Sequence, residues 1–478
     1  MPGRLRAQPY LLPDLTIRPL MKTKTAAQIS PVMNEVSAYI ARALRKPLPK
    51  KVVEKTKHHV LDTFAAMVSG SRLLPGKKAI SYIKTLGGAK ESTVIGSRFV
   101  TTAINAALAN GMLGHADETD DSHARSLCHP GCAIVPAALA MAERERRDGT
   151  ALLRAVALGY DIGCRVNLSL NAYEFREDGH STHSFGPMFG AAAATGALCN
   201  FDQRQARHLL SYTAQQASGV SCWMRDEEHI EKAFDFGGMP ARNGTAAAAM
   251  VAHGFSAVED VFAGERNFFV AYGRAPKPEV LARGLGSTYE IMNTNIKRWS
   301  VGSPIQAPLD GLLDLIREHQ IKADNVEKLV VRVSHQGANT VNNRHMPDIC
   351  MQHMCAVMLL DSFVTFKSSH DEKRMRDKKV LDLRSRIELF GDDELTRVMP
   401  SRQGIVELKL RDGRDLKLHI KAVRGTSDSP MSRREVDEKS YDLLAPALGK
   451  ARARKLCDAV WNIEKLTDAR KLRTLLQA

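Results

Sequence analysis

The chain has 478 residues, a formal charge of +15, and a composition that is 44% hydrophobic but only 6% aromatic. That length exceeds one compact core and predicts two domains, while small aliphatic residues in place of aromatics favour close-packed helices over a β-sandwich. No apolar run is long enough to span a bilayer, and eight scattered cysteines without a secretory leader read as reduced thiols of a cytoplasmic protein.

Residues 1–25 hold Arg4, Arg6, Arg18, Lys22 and Lys24 against the single acid Asp14, and are expected to form a disordered basic tail, with Met21 as an alternative start. Residues 26–290 read as helical. Val53, Val60, Leu61 and Phe64 recur at helical spacing and run to a stop at Gly70. Asp148-Gly149 precedes a helix through Leu152, Leu153, Val156 and Leu158, and Asp202 with Gln205 forms a capping box for the next. After Lys232, a Gly237-Gly238 turn is expected, with Pro240 opening an Ala-rich helix that closes at Gly254.

Over residues 291–430 the pattern changes. Val326 to Ser334 alternates like a strand, Met351 to Phe366 reads as an apolar helix, and Gly404 to Ala422 as a hairpin turned at Asp412-Gly413. These make a small α+β unit. Residues 431–478 return to helix through Val436, Tyr441, Leu443 and Leu444, then Leu456, Val460, Ile463 and Leu466.

The positive charge does not point to nucleic acid. It sits partly in the tail and partly in Lys367 to Arg386 and Lys450 to Arg473, where acids are interleaved, and no zinc-finger or RNP-like segment accompanies it. A positive surface also steers a small polycarboxylate. Cys128 and Cys132 flank His129, and Cys350 and Cys355 flank His353, but neither spacing is a usual zinc pair, so no metal is expected.

Three segments carry chemistry. His115-Ala116-Asp117-Glu118-Thr119-Asp120-Asp121-Ser122 leads to His129-Pro130-Gly131; Gly179-His180-Ser181-Thr182-His183 leads to the Ala191 to Ala194 run; and Glu231-Lys232 precedes Gly237-Gly238-Met239-Pro240. Together they resemble the MmgE/PrpD family from about Val36 to the C-terminus. The resemblance implies a mainly α fold: a large all-α domain, built from the N-terminal part and the C-terminal helices, with a smaller α+β lid domain inserted between them. It also implies a cofactor-free, metal-independent lyase, commonly a homodimer, acting on a small di- or tricarboxylate in the cleft between the domains. Dehydration of the 2-methylcitrate type is the first expectation, with cis-aconitate decarboxylation or epimerisation as alternatives.

Carried onto this sequence, the resemblance makes Lys232 a carboxylate clamp or proton donor and Lys297, beside Arg298, a second clamp. His129 and either His180 or His183 become catalytic, with His180 the better motif match. Asp120, Asp121 and Ser122 match the acidic turn of the family, with Glu118 in place of its first aspartate. His353 stands where the decarboxylase has a tyrosine, and Gln306 where it has a histidine. A reading from another class is a basic helical scaffold that binds RNA or an acidic partner. It predicts cations grouped on one face and affinity that falls steeply with salt.

Overall fold

Alanine and glycine decide how the helices meet. The computed structural model describes residues 29–477, so the expected basic tail over 1–25 lies outside it. Helix Thr182–Leu198 is buried along its whole length, as a helix apolar on every side must be. Its Gly186 and Gly190 face Gly159 and Gly163 of helix Gly149–Ser169. A Cβ added at Gly159 or Gly163 would stand 2.9 and 3.0 Å from the backbone oxygens of Gly190 and Gly186. The two backbones therefore touch with no side chain between them. A Gly186→Val variant should lose about 3 kcal/mol of stability through overpacking, read as a lowered denaturation midpoint.

Around this pair pack helices Gly131–Arg144, Gln203–Gln215 and Met239–Ala252, and helix Ala103–Gly114 packs in turn on the first and last of these. Their starts follow local rules. Asp148 accepts from the Ala151 N–H at 2.7 Å, and Asp202 and Gln205 exchange both capping-box bonds. Helices Arg433–Leu448 and Lys450–Trp461 return to pack on helix Lys50–Gly70. One apolar core accordingly gathers side chains from Val52 to Ile296 and again from Met431 to Leu476.

A separate core runs from Trp299 to Leu410. It lies on a four-stranded sheet in the order Ile387–Asp392, Val326–Ser334, Gly404–Leu410, Asp415–Ile420. The first pair is parallel and the others antiparallel. Helices Gln306–His319 and Met351–Asp361 cover it. The strand at 326–334 and the hairpin, with Gly413 at φ +89°, match the sequence reading. The apolar helix stops at Asp361, where Ser362 turns left-handed, rather than running on to Phe366. Strand Ile387–Asp392 was not expected, because it follows a charged run and its partner lies more than fifty residues back.

The expected Gly237-Gly238 turn is absent. Helix Ile230–Ala233 continues through a π-helical turn, Phe234–Gly238, into Met239–Ala252. Gly237 lies against the backbone of Gly111, which leaves no room for a side chain on either residue. The glycines are there for close helix contact, and the wide turn re-aims the residues beside it.

Candidate active site

Helix Ala103–Gly114 ends at His115, and the chain crosses an acidic loop before helix Gly131–Arg144 begins. Asp117, Glu118, Asp120 and Asp121 are all buried. Buried carboxylates are costly unless paired, so their partners define the site.

Glu118 is gripped by two lysines. Lys232 Nζ contacts Oε1, and Lys297 Nζ donates to Oε2 at 3.1 Å and to the Glu118 backbone oxygen at 2.8 Å. Burial would raise the Glu118 carboxyl, but Lys232 and Lys297 outweigh it and hold it well below the usual carboxylate range. Burial would likewise lower Lys297, and Glu118 with Asp120 raises it instead.

Asp120 Oδ1 takes Nδ1 of both His115 and His129, each at 3.0 Å. Burial pushes His129 down to about 4 against the pull of Asp120, so at neutral pH it is an uncharged imidazole. With Nδ1–H given to Asp120, its Nε2 is left as a proton acceptor. His183 is pushed well below its ordinary value by burial, with His129 and Arg176 adding to the effect.

Phe236, turned inward by the π-helical turn, lies between two imidazoles. His183 stacks on it at 3.6 Å and His115 at 4.2 Å. The Lys232 ammonium sits 5.3 Å from the Phe236 ring and 5.7 Å from Trp223, a cation–π arrangement.

The sheet unit contributes His370 and Asp348. His370 Nε2 stands 2.9 Å from Asp117 Oδ2, and despite burial this partner raises His370 to about 9. A raised histidine stabilises fully below its ordinary value near 6.5 and loses that contribution as pH climbs through about 9. The kcat/KM of the wild type is therefore expected to fall near pH 9 as the two units lose this tie. In His370→Gln that step should vanish from the pH–rate profile and KM should be higher at neutral pH.

Two part-buried guanidiniums flank the cluster. Arg176 and Arg402 have no carboxylate within salt-bridge distance among the described residues, and burial lowers both. Arg176 acts on His183, and Arg402 on Arg176 while feeling Glu118.

Residues 34–281 match the MmgE/PrpD N-terminal domain and residues 299–464 the MmgE/PrpD C-terminal domain. The chain belongs to the MmgE/PrpD family. It is similar to cis-aconitate decarboxylase of Aspergillus terreus, 22% identical over 482 residues, covering 94% of this chain and 96% of that protein. Human cis-aconitate decarboxylase is 24% identical over 453 residues, covering 90% of this chain and 91% of its own. The cis-aconitate decarboxylase-like protein oryM of Aspergillus oryzae is 24% identical over 327 residues, covering 63% and 66%.

In this MmgE/PrpD chain, the structure brings together Glu118, Asp120, His129, His183, Lys232 and Lys297 from the residues that the sequence suggested. It separates His180 from them. His180 stacks on Phe175 at 4.4 Å, while His183 sits in the first turn of helix Thr182–Leu198, whose positive end also disfavours a charged imidazole. Asp121 faces away, holding His59 and the Tyr160 hydroxyl at 2.6 Å and the Gly131 N–H at 2.9 Å. Ser122 pairs by backbone with Asn295 (3.0 and 2.8 Å), which ties the acidic loop to the segment that carries Lys297.

Arg298 pairs with Asp310 at 3.1 Å, and the Gln306 amide holds the backbone of Trp299 and Val301. Both brace Lys297 rather than enter the cluster. His353 is fully buried in the helix of the sheet unit, neither ring nitrogen has a partner among the described residues, and burial takes it to about 4.

Sequence reasoning passed over His115 and Phe236, although both stand inside the motifs it used. His229, His370, Asp348, Arg176 and Arg402 carry no motif at all. The paired-cysteine segments do not converge: among the described residues the groups with cation-like spacing are His115 with Asp120 and Cys132, and His115 with Glu118 and His229. Two lysine ammoniums on Glu118 oppose a divalent ion there, and we assign none. No helix among the described residues is long and apolar enough to cross a membrane.

Proposed function

We propose that this protein is a metal-independent lyase acting on a small tricarboxylate around Glu118, with loss of CO2 from an unsaturated acid of the cis-aconitate type as its reaction. The observation that carries this reading is the meeting of Lys232 and Lys297 on a single buried carboxylate. A site built to hold one carboxylate between two ammoniums suits another in the same place. Breaking the bond to CO2 leaves an electron pair that spreads toward a remaining carboxylate, and a proton then takes the place of CO2 on carbon, for which the Lys232 ammonium is a donor at hand. Fixed ammoniums stabilise the developing charge without reorganising. Arg176 and Arg402, which pair with no carboxylate at salt-bridge distance among the described residues, suit the other carboxylates of the acid. The curated relatives with nearly full coverage are named cis-aconitate decarboxylases, which supports the same step.

A second reading, dehydration of a hydroxy acid of the 2-methylcitrate type, draws support from the Asp120–His129 pair. A neutral imidazole anchored through Nδ1 suits removal of a proton next to a carboxylate. Epimerisation would use the same abstraction. A homodimer belongs to the proposal and is checked by light scattering.

The deciding experiment incubates purified protein with cis-aconitate, 2-methylcitrate and citrate, with and without a chelator, followed by proton NMR. Consumption of cis-aconitate with CO2 release that survives chelation supports the first reading. Conversion of a hydroxy acid with water loss replaces it by the second. Activity that needs a metal, or none on any acid, overturns both.

A further inference from the structure

Glu118 raises a difficulty for any acid that binds here, because it already occupies both lysines that such a ligand needs. Its carboxyl cannot stay between them once a second carboxylate arrives: two buried anions would then share two cations, with Asp120 3.9 Å from Lys297 adding a third negative charge. Somewhere nearby must receive the displaced group. Among the described residues His115 and His229 each keep a buried Nε2 with no partner, and a nitrogen of each lies within 4.8 Å of a Glu118 carboxylate oxygen and of the other. Buried polar atoms without partners are uncommon and need a reason.

We propose that Glu118 is a resident counter-ion for the lysine pair, which an incoming carboxylate displaces toward His115 and His229, and that Glu118 takes up one proton from solvent as it leaves. The inference rests on the proposed carboxylic-acid substrate. Its physical basis is the charge balance. Lys232 and Lys297 contact Glu118 directly, and His115, His229, Asp348 and Arg402 are the other titratable and charged groups that act on it. Asp117 is already neutralised by His370, whereas Asp120 keeps its negative charge and is held in place by the Nδ1 atoms of its two histidines. Once the lysines turn to the ligand, the buried Glu118 has imidazoles and the acid Asp348 close by in place of two ammoniums, so protonation is the favourable outcome. The proton adds to one carboxylate oxygen and leaves a neutral acid able to donate a hydrogen bond to an imidazole nitrogen. It also places a carboxylic acid, a stronger proton donor than either ammonium, beside the bound acid. An aspartate, one methylene shorter, reaches both lysines less readily, so this role belongs to the glutamate of this chain.

The test is calorimetric binding of tricarballylate, a saturated tricarboxylate with neither a double bond nor a hydroxyl group to lose, at pH 7 in phosphate and in Tris. The difference between buffers gives the protons taken up. Wild type is expected to take up about one proton per ligand, Glu118→Gln close to none, and the variant should bind roughly tenfold tighter because nothing competes for the lysines. His183→Gln should keep the uptake, which separates Glu118 from the nearest ring outside the displacement path. Succinate and malonate are titrated in parallel. If they bind with uptake and tricarballylate does not, the tricarboxylate reading fails and the role of Glu118 stands. Wild-type binding of any of these acids without proton uptake, or Glu118→Gln binding more weakly than wild type, overturns the proposal. So does absence of binding to both proteins.

Discussion

Replacing Lys297 by alanine is expected to lower kcat/KM by about a thousandfold. Lys297 is 4% exposed and makes two contacts to Glu118, one of them to its backbone, so the ammonium both shapes the acidic loop and presents charge to a ligand. Its loss leaves Glu118 with Lys232 alone, and breaking one side of a buried ion pair costs about 3–5 kcal/mol. Activity and thermal stability should therefore fall together in the single variant. Adding Glu118→Gln takes the remaining carboxylate from Lys232, so the double variant should be no more stable than Lys297→Ala and should regain none of the turnover. Lys232→Ala should lose less, about a hundredfold, because its side chain is 17% exposed against 3% for Lys297 and Glu118 keeps the better-buried partner. Wild-type-like turnover in Lys297→Ala would remove the clamp from the mechanism.

The second large effect is expected at Asp120. Asp120→Asn should reduce kcat by about 10²- to 10⁴-fold with little change in stability. The carboxylate accepts from Nδ1 of His129 and of His115 at once, so it sets the tautomer of both rings. An amide in its place offers a donor on one side and lets His129 turn its lone pair away from the substrate. His129→Gln should lose about as much, and Asp120→Asn/His129→Gln no more than either alone, since the two act as one unit. His183→Ala should also be impaired, whereas His180→Ala should retain activity within about threefold, because its ring stacks on Phe175 outside the cluster. Additive losses at Asp120 and His129 would mean that they act separately.

Family membership and much of the fold were legible in the residues because they rest on local rules. The capping box at Asp202 and Gln205, the alternation through Val326 to Ser334, and the Asp412-Gly413 turn each involve neighbours a few positions apart, and each formed where expected. Lys232, Lys297, Glu118 and His129 were also named from motifs, and they meet in one cluster.

What failed to show was set by distant partners. Gly237-Gly238 has the composition of a turn, and only the backbone of Gly111 lying against it makes a continuous helix the better solution. Strand Ile387–Asp392 exists because Val326–Ser334 offers it a parallel edge. The motif match favours His180 over His183, and the direction of a helix start reverses that order by placing His183 in the cluster. Asp120 and Asp121 are adjacent acids, yet one holds two site histidines and the other anchors the start of helix Gly131–Arg144. Capping, turn chemistry and periodicity are short-range and are written along the chain, so the sequence by itself determined the elements and the kinds of side chain available for chemistry. Which carboxylate meets which cation depends on burial by segments more than a hundred residues away, and that the tertiary structure alone decided.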